Sequence, residues 1–100
     1  MPNIKFSYLY RDSSNYKHFG YVIFFNLDNL SLDEVAKLIE ARLIYDTWFY
    51  THEWNLPDLR PNYFDIDNDP TWHEFEKIEF TDERATRLLR SILPRASRSQ

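Results

Sequence analysis

The sequence predicts a small single α+β domain, a mostly antiparallel sheet of three to four strands packed with two helices in the order β-β-α-β-loop-β-α. Three observations carry that prediction. Apolar and polar residues alternate from Ile4 to Arg11, a capping box at Ser31 opens a helical periodicity, and three prolines between Asn55 and Thr71 interrupt any regular pattern. With 100 residues, 43% of them hydrophobic and 18% aromatic, there is material for one core and none for a second.

Taking the elements in order, Ile4, Phe6, Tyr8 and Tyr10 share one parity while Lys5, Ser7 and Arg11 share the other, which is a strand with one face buried. Tyr21 to Phe25 is apolar on both faces and reads as a central strand pairing with the first. Between them residues 11–20 form a long polar loop ending at Gly20, the only glycine, expected in a backbone conformation that other residues avoid. Ser31-Leu32-Asp33-Glu34 is a capping box, and Leu32, Val35, Ile39 and Leu43 then recur on one face, so a helix runs to about Ile44. Thr47 to Tyr50 is a short third strand, and residues 55–71 are a long connection that wraps the domain. Trp72 to Phe80 reads as a fourth strand, although Glu74 and Glu76 share the parity of Trp72, Ile78 and Phe80, which leaves a helix open. Thr81 or Asp82 caps a second helix with a stripe of Ala85, Leu88, Leu89 and Ile92, ending before Pro94. The domain spans residues 1–94, and residues 95–100 are a disordered basic tail.

Composition narrows the function. Without cysteine there is no disulfide scaffold, thiol catalysis or cysteine-rich zinc site, which fits a reducing, cytoplasmic setting. The N-terminus lacks the basic and apolar segments of a secretory signal, and Tyr21 to Phe25 is far too short to span a bilayer. Charge is sorted along the chain: residues 51–83 carry -8, whereas residues 84–100 carry +5 from five arginines. An acidic, aromatic block of this kind repels phosphate backbones and steers toward a basic protein partner.

Several constellations compete for a role. Asp65, Asp67, Asp69 and Glu76 fall at positions one, three, five and twelve of a calcium loop, but Pro70 stands where the turn needs glycine and no helix enters from the left, so a solvated acidic loop is the simpler reading. His52-Glu53 and His73-Glu74 offer imidazoles and carboxylates for a metal without a metalloprotease spacing; with Arg11 and Lys17 they frame the alternative reading, a small metal- or ligand-binding enzyme. Arg11, Asp12, Asn15, Tyr16 and Lys17 form a polar cluster suited to an anion or, more simply, to a hairpin loop. Arg84, Arg87 and Arg90 recur every third residue along the expected second helix, a further alternative for nucleic acid. No nucleophile elbow, phosphate loop or dinucleotide fingerprint occurs, so no cofactor and no catalytic residue is assigned.

The segments Tyr8-Leu9-Tyr10-Arg11-Asp12, Asn15-Tyr16-Lys17, Phe19-Gly20 and Trp72-His73-Glu74-Phe75 resemble those of a group of small, uncharacterised acidic proteins of bacteria and phages. The resemblance implies a prokaryotic or viral setting and supplies no activity. Together these readings lead to a non-enzymatic binding module that neutralises a basic, nucleic-acid-handling partner, as a phage anti-defence inhibitor, an antitoxin or an immunity protein does. The residues expected to meet that partner are Glu53, Trp54, Asp58, Tyr63, Asp65, Asp67, Asp69, Trp72, Glu74 and Glu76.

Overall fold

The central strand decides the architecture. In the computed structural model, which describes residues 2–92, β1 (Asn3–Arg11) is paired along its length with β2 (Lys17–Phe25) on one side and β4 (His73–Thr81) on the other, both antiparallel. Two short strands complete a five-stranded sheet in the order β3-β4-β1-β2-β5: β3 (Trp48–Phe49) antiparallel to β4, and β5 (Arg87–Leu88) parallel to β2. The α+β class holds, with five strands in place of three to four and one parallel pair.

One face of the sheet is the core. Ile4, Phe6, Tyr8 and Tyr10 of β1 are fully buried, as the alternation predicts. Ile4, Phe6 and Tyr8 meet Val22 and Phe24 from β2, Val35 and Ile39 from α1 (Leu32–Arg42), and Phe49, Trp54 and Leu56. Phe6 lies within ring-packing distance of five other aromatics: Phe75 at 5.3 Å, Tyr8 at 5.7 Å, Phe49 and Trp54 at 6.0 Å and Phe24 at 6.2 Å.

The first helix starts as expected. Ser31 Oγ accepts from the Glu34 amide and Glu34 Oε1 accepts from the Ser31 amide, so both halves of the capping box are made. It stops two residues earlier than Ile44, because Leu43 turns extended and Ile44 bridges to Trp48.

Four expectations are corrected. The first hairpin loop is short: Asp12 Oδ1 accepts from the amides of Ser14 and Tyr16, and Asn15 adopts φ 67°, so both strands continue to residues 11 and 17. Gly20 is not in a left-handed conformation; it sits inside β2 because a Cβ there would lie 2.7 Å from a methyl group of Leu59. The mixed parity of β4 comes from a bulge. Tyr8 pairs with Phe75 and Ser7 with Lys77, so Glu76 is an extra residue that exchanges the faces, turning both Phe75 and Ile78 toward the core.

The fourth correction concerns the C-terminal helix. Arg87–Leu88 is a strand and Leu89–Ser91 a single 3₁₀ turn, so Arg84, Arg87 and Arg90 do not line a helix. A segment this short is marginal as an isolated helix, whereas the edge of β2 supplies backbone partners, beginning with the Thr86 amide donating to the Ile23 carbonyl at 3.1 Å. The second helix lies elsewhere. It is the single turn α2 (Thr51–Trp54), closed by Asn55 at φ 54°. Pro94 and the basic tail 95–100 lie outside the described residues.

Truncating Phe6→Ala removes the ring at the centre of this packing and is expected to cost about 3–5 kcal/mol of unfolding free energy. Urea denaturation followed by far-ultraviolet circular dichroism reads the loss; a cost below ~1 kcal/mol would show that the core does not depend on this ring.

Candidate functional site

The entry to β4 sends successive side chains to different environments. Trp72 is 42% exposed, His73 is fully buried, and Glu74 bonds to Arg11 across the neighbouring strand. That sequence of orientations builds the site.

His73 is its anchor. The Leu59 amide donates to His73 Nε2 at 3.0 Å, which places the ring proton on Nδ1, a buried atom with no hydrogen-bond partner among the described residues. The imidazole lies between Tyr10, Tyr8 and Phe49, with ring centroids 5.1, 6.0 and 6.1 Å away. Burial pushes its pKa down to about 4. The ring is therefore neutral at neutral pH, and the 3.5 Å approach of Asp58 is no ion pair. Asp58 instead clasps Arg60 through the amide, Nε and Nη2. Partial burial opposes ionisation of Asp58, but the bonds from Arg60 outweigh it and hold its pKa below the ordinary value.

The long connection is tied down at four further points. The Tyr8 and Tyr10 hydroxyls donate to the carbonyls of Pro57 and Pro70 at 2.7 and 2.6 Å, and burial pushes both phenols up to about 12. Tyr63 Oη lies 3.2 Å from His18 Nε2, and Asp69 Oδ1 accepts from both the amide and hydroxyl of Ser13. Asp65 and Asp69 also cap the turn from within: Asp69 accepts from the Asp65 amide, and Asp65 accepts from the Asp67 amide and the Asn68 side chain. Those bonds hold both carboxyls below their usual range, the largest contributions coming from Asn68 for Asp65 and Ser13 for Asp69.

A groove of about 710 Å³ opens between this turn and the sheet, lined by Trp48 and Trp72 together with Arg11, Ser13, Asp69 and Glu74. Asp12, Asp69 and Glu74 outnumber Arg11, its one cationic lining residue, so the groove is electronegative. The same two indoles border a smaller apolar hollow of about 250 Å³ with Ile44, Tyr45 and Tyr50. Trp48 packs edge-to-face on Trp72 at 6.4 Å and on Tyr45 at 6.2 Å. Tyr45 is 85% exposed and holds φ 51° beside Asp46 at φ 60°, as in the tight turns whose central residues are both left-handed. That conformation is costly for a tyrosine, and such strain concentrates at functional positions.

The expected partner-contact residues are thus divided. Asp69, Trp72 and Glu74 line the groove, whereas Asp65 and Asp67 lie in the turn that carries Asp69 and do not line it. Glu76 is exposed at the bulge. Glu53 is exposed on α2, Asp58 serves Arg60, and Tyr63 lies against the first hairpin. Trp54 is a core residue, 1% exposed, with Arg42 stacked 4.6 Å over its ring. Trp48, Tyr45, Arg11 and Ser13 belong to the site and are absent from the expected partner-contact set; the sequence signals Arg11 through its polar cluster and Trp48 through the local crowding of aromatics, and gives no sign of Tyr45 or Ser13.

The alternative chemistries find little geometry. His52 is exposed and packs on Tyr50, while His73 is enclosed, and the described residues hold no group of three or more histidines and carboxylates placed to bind a metal. The acidic block is also less uniform than its composition: Asp58, Glu74, Glu79 and Glu83 each pair with Arg60, Arg11, Lys77 and Lys5. No helix among the described residues is long and apolar enough to cross a membrane. Comparisons with protein-family models, with curated proteins and with solved structures find no match to this chain.

Because His73 is neutral in the fold and titrates near 6.5 in the unfolded chain, acidification favours unfolding. Its contribution is intact above pH 6.5 and is lost as pH falls toward 4, a difference on the order of 3 kcal/mol. Denaturation of the protein and of His73→Phe at pH 7 and 5 isolates it: the variant is expected to lose less stability between the two pH values. Equal losses would assign the pH dependence to other groups.

Proposed function

We propose that this chain is a protein-binding module whose groove takes a basic segment of its partner. The observation that carries this reading is the pair of indoles lining an electronegative groove, the half-buried Trp48 and the exposed Trp72. Indole faces attract guanidinium and ammonium groups, and the attraction grows where carboxylates flank the ring and water is displaced. An arginine or lysine laid against Trp72 has Asp69 and Glu74 within the same groove for its charge. Interface hot spots favour this combination of large rings and neighbouring charge, and complementary potential speeds encounter as well as choosing the partner.

The finer reading is that the basic segment belongs to a nucleic-acid-handling protein, whose phosphate-binding cleft is where exposed cations concentrate. A protein that occupies such a cleft acts as an inhibitor, an antitoxin or an immunity protein, and the resemblance to small bacterial and phage proteins suits an anti-defence role. No catalytic group is required, and none is assigned.

The aspartates of the groove turn are not equivalent in such a test. Asp65 and Asp69 hold the loop together, so reversing them would disturb the fold; Asp67 and Glu76 are exposed and free of such duties. Titration of the protein with a synthetic arginine-rich peptide, followed by tryptophan fluorescence, is expected to show saturable, salt-sensitive binding. Trp72→Ala should weaken it at least tenfold, and Asp67→Lys with Glu76→Lys should flatten its salt dependence while the melting temperature holds. Binding that ignores Trp72→Ala would move the interface away from the groove.

A further inference from the structure

β2 has the composition of a strand enclosed in a sheet, yet along most of its length it is an edge. Lys17–Phe25 contains no carboxylate, no proline and mostly aromatic and β-branched residues, and of the devices that blunt natural edges it carries only one charged side chain, Lys17, at its end. On its outer side β5 pairs only with Phe24 and Phe25. The Thr86 amide donates to the Ile23 carbonyl, which shows that the odd-numbered residues of β2 turn their backbone groups outward. The amides and carbonyls of Lys17, Phe19 and Tyr21 therefore face away from β1, and none of them has a hydrogen-bond partner among the described residues. Their side chains lie on the face of the sheet opposite the core, where Phe19 is 62% and Tyr21 54% exposed.

We propose that a second copy of this chain completes the sheet, its β2 pairing antiparallel with the β2 of the first across a two-fold axis at Gly20. In that register Gly20 faces its own counterpart in a non-hydrogen-bonded pair, the closer of the two antiparallel spacings, which a residue without Cβ accommodates. Phe19 then lies opposite Tyr21 of the second copy, twice over, an aromatic cross-strand pair exchanging both backbone bonds. Pairing runs over residues 18–22 of each copy, and Lys17 leaves the edge beside Ile23 of the second copy, whose carbonyl is held by the Thr86 amide. Beside Ile23 runs a groove of about 520 Å³ along Tyr21 and Val22, bordered by Glu83, which bonds Lys5 on the same sheet face as Lys17. Lys17 makes no ion pair among the described residues, so each copy brings an uncommitted cation to the other's carboxylate. This self-complementarity selects a second copy over the basic partner of the Trp48 and Trp72 groove, for which β2 holds no carboxylate.

Sedimentation equilibrium of the full chain over a range of concentrations is the test, with melting temperature as the control on folding. The chain is expected to pass from monomer to dimer with concentration, with the Phe19 and Tyr21 amides exchanging more slowly in the dimer. Phe19→Lys, at an exposed side chain, should stay monomeric throughout. Lys17→Glu and Glu83→Lys should each weaken dimerisation about tenfold, and the double variant should recover it. If Phe19→Lys fails to fold, the charge-swap pair decides alone. A chain that remains monomeric at every concentration, a dimer indifferent to these substitutions, or a double variant no tighter than the single ones overturns the proposal.

Discussion

The packing of Phe6 against rings from four other parts of the chain is the constraint on which the rest of the molecule depends. It sits on the one strand that, among the described residues, is paired on both sides over most of its length, and its neighbours arrive from β2, β3, α2 and β4. Elements too short to persist alone, the two-residue β3 and the one-turn α2, owe their existence to burying Phe49 and Trp54 against it. The aromatic richness of the chain is thus first a solution to folding, and only the rings left outside this cluster are free to serve binding.

A buried histidine joins core and groove. Where an apolar residue would have packed, His73 adds an acceptor for the Leu59 amide and so fixes the start of the long connection above Gly20. The energetic cost is an unpaired Nδ1 in an aromatic surround. The positional gain is that Trp72 and Glu74, the adjacent residues, are held by a rigid centre, one turned to the apolar hollow and the other to Arg11. Exposed groups on a fixed backbone lose little freedom when they meet a ligand.

Much of this was legible in the residues. The alternation of Ile4 to Tyr10 and the capping box of Ser31 and Glu34 are local signals whose physics does not depend on the rest of the chain, and the strand and the start of the helix form as read. The parity of β4 was not, because a bulge at Glu76 is a property of two strands in register and leaves no mark on either alone. The C-terminal segment failed for a related reason: its helical spacing is real, but tertiary pairing with the β2 edge outweighs a weak local preference. In the site, charge counting found the acidic block without its partners, since Arg11, Arg60, Lys5 and Lys77 reach Glu74, Asp58, Glu83 and Glu79 only in the folded arrangement.

The bulge also determines where this sequence can change its length. With Glu76 deleted, Phe75 would still lie opposite Tyr8, Lys77 opposite Ser7 and Ile78 opposite Phe6 in a regular ladder, so the strand can lose this one residue, whereas deleting Glu79 would exchange the faces beyond it. The surface turns at 12–16 and 62–68 have no such parity to preserve. Among descendants of this sequence, insertions and deletions should accumulate in those turns and loss of a residue in β4 should fall at the bulge, while the number of residues between Lys77 and Thr81 stays constant.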